Sequence, residues 1–223
     1  MSNRSRKADV LKILERRDFD ALRKWAEEVR NPFRVLMSLA YEAEGILWWR
    51  TMEATGIVAA VQATIDIERV RDFVRRLLWL MNDESGGLAR FAPEMIGEIL
   101  VNVPAFIDDT AEILPSFLKE EPFERGTHLA IYRVASVNTG PFLKSIPKIV
   151  KSLDDSDPYI KSYTAMILGV LGDSRFCEGI KTLAGDRTSV VVYDFDSGNL
   201  DETTVANIAD MVLKQIESSG QAA

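Results

Sequence analysis

The sequence predicts an all-α protein, an α–α superhelix of about five helical hairpins with one short extended segment near 189–193. Three observations predict it. Apolar residues recur at helical spacing along nearly the whole chain. Clusters of turn formers cut that pattern into short pieces. The pieces then repeat at intervals of 41, 37 and 35 residues, counted from Gly56 to Gly97, on to Val134 and on to Gly169. A hydrophobic share of 47% is enough to build a core, and helix following helix with almost no strand excludes a parallel α/β sheet.

The elements follow in order. Val10, Leu11 and Leu14, then Phe19, Leu22, Trp25, Ala26 and Val29, put one apolar stripe on each of two short helices. Ahead of them, Arg4 to Lys7 are expected to fray. Asn31-Pro32 ends the second helix and opens a third, because proline suits a first turn and cannot continue the previous helix. Val35, Leu36, Leu39 and Ala40 carry that third helix, Gly45 punctuates it, and Ile46 to Ala60 forms an apolar partner. Ile67 to Met81 reads as a helix with Val70, Phe73, Val74, Leu77, Leu78 and Met81 inward. The cluster Asn82 to Gly87 is a turn, Leu88 to Val103 a helix, and Pro104 its end. Helices over Phe106–Leu118, Glu124–Val137, Phe142–Leu153, Tyr159–Leu171 and Arg175–Leu183 follow, separated by proline, glycine and aspartate breaks. Ser189 to Tyr193 is β-branched and apolar, an extended strand or tight loop. Asp201 or a neighbour then caps a final helix over about Glu202–Glu217.

Four stretches share one layout: Leu39–Gly56, Leu80–Gly97, Leu118–Val134 and Leu153–Gly169. Each leaves a helix at a leucine, crosses an acidic turn and climbs a second helix. A glycine holds the late position in three of them, and Val134 replaces it in the other. One hairpin of this kind cannot hide its apolar face alone, so neighbours must stack. The expected organisation is one domain over 1–223, with capping helices in 1–30, repeats in 31–184, a loop or strand in 185–200 and a capping helix in 201–219.

Ile149 to Leu183 resembles the HEAT-like repeat of the bilin-lyase type. The matching positions are Leu153, Asp155, Asp157, Pro158, Ile160, Lys161, Ala165, Leu168, Gly169, Leu171, Gly172 and Asp173. Leu77 to Leu100, with Glu124 to Arg133, also resembles HEAT-repeat proteins of anaerobic bacteria. The resemblance covers roughly 31–183 and implies an armadillo-type α-solenoid. It implies no reaction, since a fold alone does not carry one.

Composition narrows the chemistry. A net charge of −7 disfavours general nucleic-acid binding. The single cysteine, Cys177, excludes an internal disulfide framework and a multi-cysteine metal site, and the single histidine, His128, excludes a histidine metal cluster. No stretch is apolar for the roughly 20 residues a membrane span needs. A cytoplasmic protein without cofactor or metal is expected, and a small-molecule ligand is left open.

Several groups invite a functional reading. Trp48, Trp49 and Arg50 could make an interface anchor, although at least one indole is expected in the core. Arg69, Arg71, Arg75 and Arg76 could hold a phosphate; the expectation is a solvated face paired with Glu68 and Asp72. Glu94 and Glu98, four apart on one helix, could form an acid/base pair or bind a cation, against a plain N-terminal role for acids. Asp194, Asp196, Gly198 and Asp201 fail the spacing of a calcium loop. His128 reads as a core histidine and Cys177 as an inert thiol. The expected function is a non-catalytic scaffold binding a protein partner through the second helices, with Trp49, Arg90, Glu94, Tyr132 and Arg133 as the residues involved. The alternative is an enzyme or cofactor handler on the same frame, bilin-lyase-like or base-excising.

Overall fold

The computed structural model describes residues 3–82 and 89–220. Most of the acidic turn read at 82–87 therefore lies outside the described residues. The fold is helical, with a single two-stranded sheet among the described residues. The chain divides into two compact units. Unit 1 comprises residues 1–106 with 193–199; unit 2 comprises 107–192 with 200–223.

Unit 1 is built from α1 (Asn3–Arg16), α2 (Phe19–Glu28), α3 (Pro32–Glu42), α4 (Gly45–Ile65), α5 (Ile67–Asn82) and α6 (Ala92–Asn102). Local chemistry sets the boundaries. The Asp18 side chain accepts from the Ala21 N–H and Asn31 from the Arg34 N–H, so both short polar residues cap the helices they precede. Pro32 occupies the first turn of α3. The central element is α4, whose residues Thr51 to Gly56 are buried without a break. It packs against α1, α2, α3, α5 and α6, so no face is left for solvent over that stretch. Its buried hydroxyls bond back along the helix, Thr51 to Leu47 O at 2.7 Å and Thr55 to Thr51 O at 2.8 Å. Gln62 donates to Ala26 O at 2.7 Å. Gly56 is required by close approach: a Cβ there would lie 2.5 Å from Glu98 O and 2.3 Å from the Asn102 amide.

Unit 2 contains α7 (Ile107–Thr110), α8 (Glu124–Ala135), α9 (Ile146–Val150), α10 (Pro158–Leu171), α11 (Cys177–Lys181) and α12 (Val205–Gly220). Strands β1 (Ser189–Asp194) and β2 (Asn199–Thr204) form a hairpin. Here α10 is central, packed on α8 and α12. Asp157 caps its start with bonds to the Tyr159 and Ile160 N–H groups, and Gly172 ends it at φ +68°. A Cβ on Gly169 would lie 2.7 Å from Val212 Cγ1.

Several boundaries differ from expectation. Residues 4–7 are helical, and Lys7 bridges to Glu42 and Ser38 on α3 rather than fraying. Helix α4 runs five residues past Ala60, to Ile65. The helix expected to begin at Leu88 begins at Ala92, leaving Arg90 in the preceding turn. The helix expected at Phe106–Leu118 is a short α segment followed by a 3₁₀ run, with Pro115 inside it. Phe142–Leu153 breaks similarly around Pro141 and Pro147, and Arg175–Leu183 is a one-turn helix between 3₁₀ turns. The extended segment extends to Asp194 and has a partner strand. That strand takes residues 202–204 from the expected last helix, which starts at Val205 with Thr204 Oγ1, not Asp201, accepting from Asn207 N.

Candidate functional site

The densest polar arrangement among the described residues lies on α4 in unit 1. Arg17 follows the last residue of α1 and adopts φ +51°, the left-handed region that costs a non-glycine residue about 1–2 kcal/mol. Its side chain is fully used. Nε and Nη2 form a fork on the Glu53 carboxylate at 3.0 and 2.6 Å, Nη1 donates to Asp196 O at 2.8 Å, and Nη2 also donates to Phe195 O. Glu53 Oε2 accepts a further bond from the Tyr193 hydroxyl at 2.7 Å. The Tyr193 ring stacks on Trp49, centroids 5.7 Å apart and planes within 6°.

Arg50 completes the arrangement. Its Nη1 donates to Leu14 O and Glu15 O at the C-terminal end of α1, satisfying carbonyls that a helix end leaves open. Its Nη2 reaches Gly198 O at 3.3 Å. The gripped segment is the tip of the β1–β2 hairpin, shaped by Gly198 N donating to Asp194 O and by Gly198 at φ +72°. The Glu53 bonds hold the Arg17 guanidinium further on the charged side. Burial, then Glu53, pushes the Tyr193 phenol up. With three donors on its carboxylate, Glu53 has little capacity left to act as a base. The geometry holds the hairpin tip through backbone carbonyls and the Tyr193 side chain.

Glu94 is the opposite case. It sits in the first turn of α6 with Oε2 buried and without a hydrogen-bond partner, while the rest of the side chain is partly exposed. Burial raises its pKa to about 8. Glu98, one turn on, is buried as well. Among the described residues no group of three or more His, Cys, Asp or Glu gathers as a metal site would.

In unit 2, His128 is fully buried. Its Nδ1–H donates to Glu124 O at 2.7 Å, leaving Nε2 as a buried acceptor without a partner. Burial lowers its pKa to about 4. One turn earlier on α8, Glu124 and Arg125 line a cleft of about 360 Å³ with Lys119, Asp155 and Asp157. Both of its cations are paired, Lys119 with Asp155 at 2.7 Å and Arg125 with Asp157.

Of the residues the sequence singled out, Trp49, Arg90 and Glu94 belong to unit 1, and Tyr132 and Arg133 to unit 2. Trp49 is half-buried and covered on one face by Tyr193; Trp48 meets it edge-on and is also half-buried, so neither indole is the core residue expected. Arg90 is exposed in its turn, and Tyr132 and Arg133 are half-buried on α8. Arg75 pairs with Asp72 on an exposed face of α5, as expected; Arg71 pairs with Glu68 but is half-buried, its guanidinium 4.7 Å above the Phe106 ring. Arg17, Glu53 and Tyr193 were not singled out. A glutamate as the one charge between Thr51 and Thr64 was the available signal, because a buried carboxylate demands a partner. No helix among the described residues is long and apolar enough to cross a membrane.

No family model matches the chain. An uncharacterised protein of Archaeoglobus fulgidus is 24% identical to it over 184 residues, which span 82% of this chain and 94% of that protein. The crystal structure of an engineered protein shares the fold at a TM-score of 0.56 and 17% identity, covering 98% of this chain and 92% of that one.

Proposed function

We propose that the protein is a HEAT-like helical-repeat scaffold that binds a protein partner through the second helices of its hairpins. The observation that carries this reading is the way those helices pack within each unit. In unit 1, α4 lies along α6; in unit 2, α10 lies along α8 and α12. At two of these seams a glycine lets a neighbour approach to a distance no Cβ would tolerate, Gly56 at Glu98 and Gly169 at Val212. Successive second helices packed side by side are what a solenoid requires, since each hairpin buries its apolar face on the next. These helices carry aromatic surface and mostly hydrogen-bonded polar groups, with Glu94 Oε2 and His128 Nε2 left without a partner, which suits recognition better than catalysis. Trp49 on α4, Arg90 and Glu94 at the start of α6, and Tyr132 and Arg133 on α8 are the positions assigned to the partner.

The test is cross-linked co-purification from the native source, followed by reconstitution of the purified pair. The expected result is a stoichiometric complex weakened at least tenfold by Arg90→Glu or Tyr132→Ala in a chain that still folds. A protein that forms no reconstitutable complex, and instead shows a saturable spectral change with haem or turns over a small molecule, would overturn the reading in favour of a cofactor handler.

A further inference from the structure

Resting on that reading, we infer that the α4 face made by Arg17, Trp49, Arg50 and Glu53 is a docking site for a tight turn carrying a tyrosine and acidic neighbours, now filled by the chain's own hairpin tip.

Three features of the tip's seat support this. First, much of the grip is on backbone. Arg17 and Arg50 donate to the carbonyls of Phe195, Asp196 and Gly198, so the turn's shape is recognised largely independently of its side chains. Second, what is read from side chains is specific: an aromatic ring lying flat on Trp49, with a hydroxyl at hydrogen-bond distance from Glu53. A site built to accept a hydroxyl discriminates strongly against a ring that lacks one. Third, the charges match. Two guanidiniums face a turn whose residues 194 and 196 are aspartates, and the Asp194 carboxyl is held below its usual range, first by the Ser197 hydroxyl and in smaller part by Arg17.

The seat also shows signs of being arranged for this purpose. Arg17 holds a left-handed backbone conformation, and strain of this kind persists where the surroundings over-determine it. Gly198 is needed twice over, for its positive φ and because a Cβ would sit 2.3 Å from Arg17 Cδ. A partner presenting the same turn meets identical donors, and it competes with a tether that is always present. Its apparent affinity is then reduced by the fraction of time the seat is empty.

The experiment uses the full chain and a fluorescent peptide with the sequence of residues 190–201, read by anisotropy. Tyr193→Ala in the protein removes the ring and hydroxyl from the tip while leaving all four seat residues. The expected result is saturable binding of the peptide to Tyr193→Ala at least tenfold tighter than to the unmodified chain, abolished when the peptide's own tyrosine is alanine. Gly198→Ala is a second way to dislodge the tip and should act in the same direction. No binding to either folded variant would overturn the inference and make the tip a fixed structural plug. Should both variants unfold, amide exchange of the unmodified chain decides. Exchange at 193–199 faster than at 51–59 supports an opening seat, whereas equal protection overturns it. The two readings separate cleanly. A reconstituted partner that is indifferent to the peptide leaves the scaffold standing and removes this site; a peptide that binds where no partner exists leaves the site and removes the scaffold.

Discussion

Glu53 and Glu94 stand on neighbouring helices of unit 1, α4 and α6, and each has carboxylate oxygen withdrawn from water. Their surroundings differ in one respect. Glu53 receives three donors, two from Arg17 and one from Tyr193, whereas Oε2 of Glu94 receives none. A buried carboxylate is tolerated as an ion when donors replace its lost hydration, and is driven toward its neutral acid when they do not. In the first case the burial organises structure around it: a helix end, a hairpin tip and two aromatic rings converge on Glu53. In the second the burial is a cost that grows as pH rises above 4.5 and is complete above about 8.

The contrast can be broken from either side. The largest effect belongs to Glu53→Ala, which leaves the Arg17 guanidinium without its counter-ion and the Tyr193 hydroxyl without its acceptor. Removing one member of a buried pair destabilises by about 4 kcal/mol, to be read from urea unfolding at pH 7. Glu94→Gln should do the reverse. The folded pKa of Glu94, about 8, lies above the ordinary carboxylate value of 4.5. The native state is therefore free of penalty below pH 4.5 and loses stability as pH rises through 8. The Gln variant should match the unmodified chain at pH 4.5 and exceed it by about 3 to 4 kcal/mol at pH 9, less than the full pKa difference implies because the partly exposed side chain keeps some water. An unchanged difference across that range would show that Glu94 is solvated.

His128 in unit 2 sharpens the rule with a base in place of an acid. Its folded pKa, about 4, lies below the ordinary imidazole value of 6.5, so its contribution is complete above pH 6.5 and is lost as pH falls through 4. About 3 kcal/mol should disappear over that interval, and His128→Phe should flatten the profile there. The smallest effect is Tyr193→Phe, which keeps the stack on Trp49 and removes one bond to Glu53. It should cost about 1 kcal/mol, with no change at the Arg17 fork.

Much of the helical framework was legible in the sequence because its causes are local. The caps Asp18, Asn31 and Asp157 bond within three residues of themselves, and the stripe on α5 predicted its buried side, with Leu78 alone only half-buried. Prolines were harder to read. Pro115, Pro141 and Pro147 turned expected helices into 3₁₀ runs, since a proline tolerated near a helix start disrupts it elsewhere. Strand β2 (NLDETT) has no apolar alternation and exists through pairing with β1. At the candidate site, Trp49 drew attention as a residue type, but its setting did not. Glu53 meets Arg17 across 36 residues and Tyr193 across 140, and no local pattern encodes contacts of that span.

The proposed meeting of a partner on the second helices can be read from amide hydrogen exchange on the full chain with and without its reconstituted partner. Protection gained within 45–65, 92–102 or 124–135, accompanied by faster exchange at 193–199, is the predicted result. Protection confined to α3 and α5, with the hairpin tip unchanged, would contradict it.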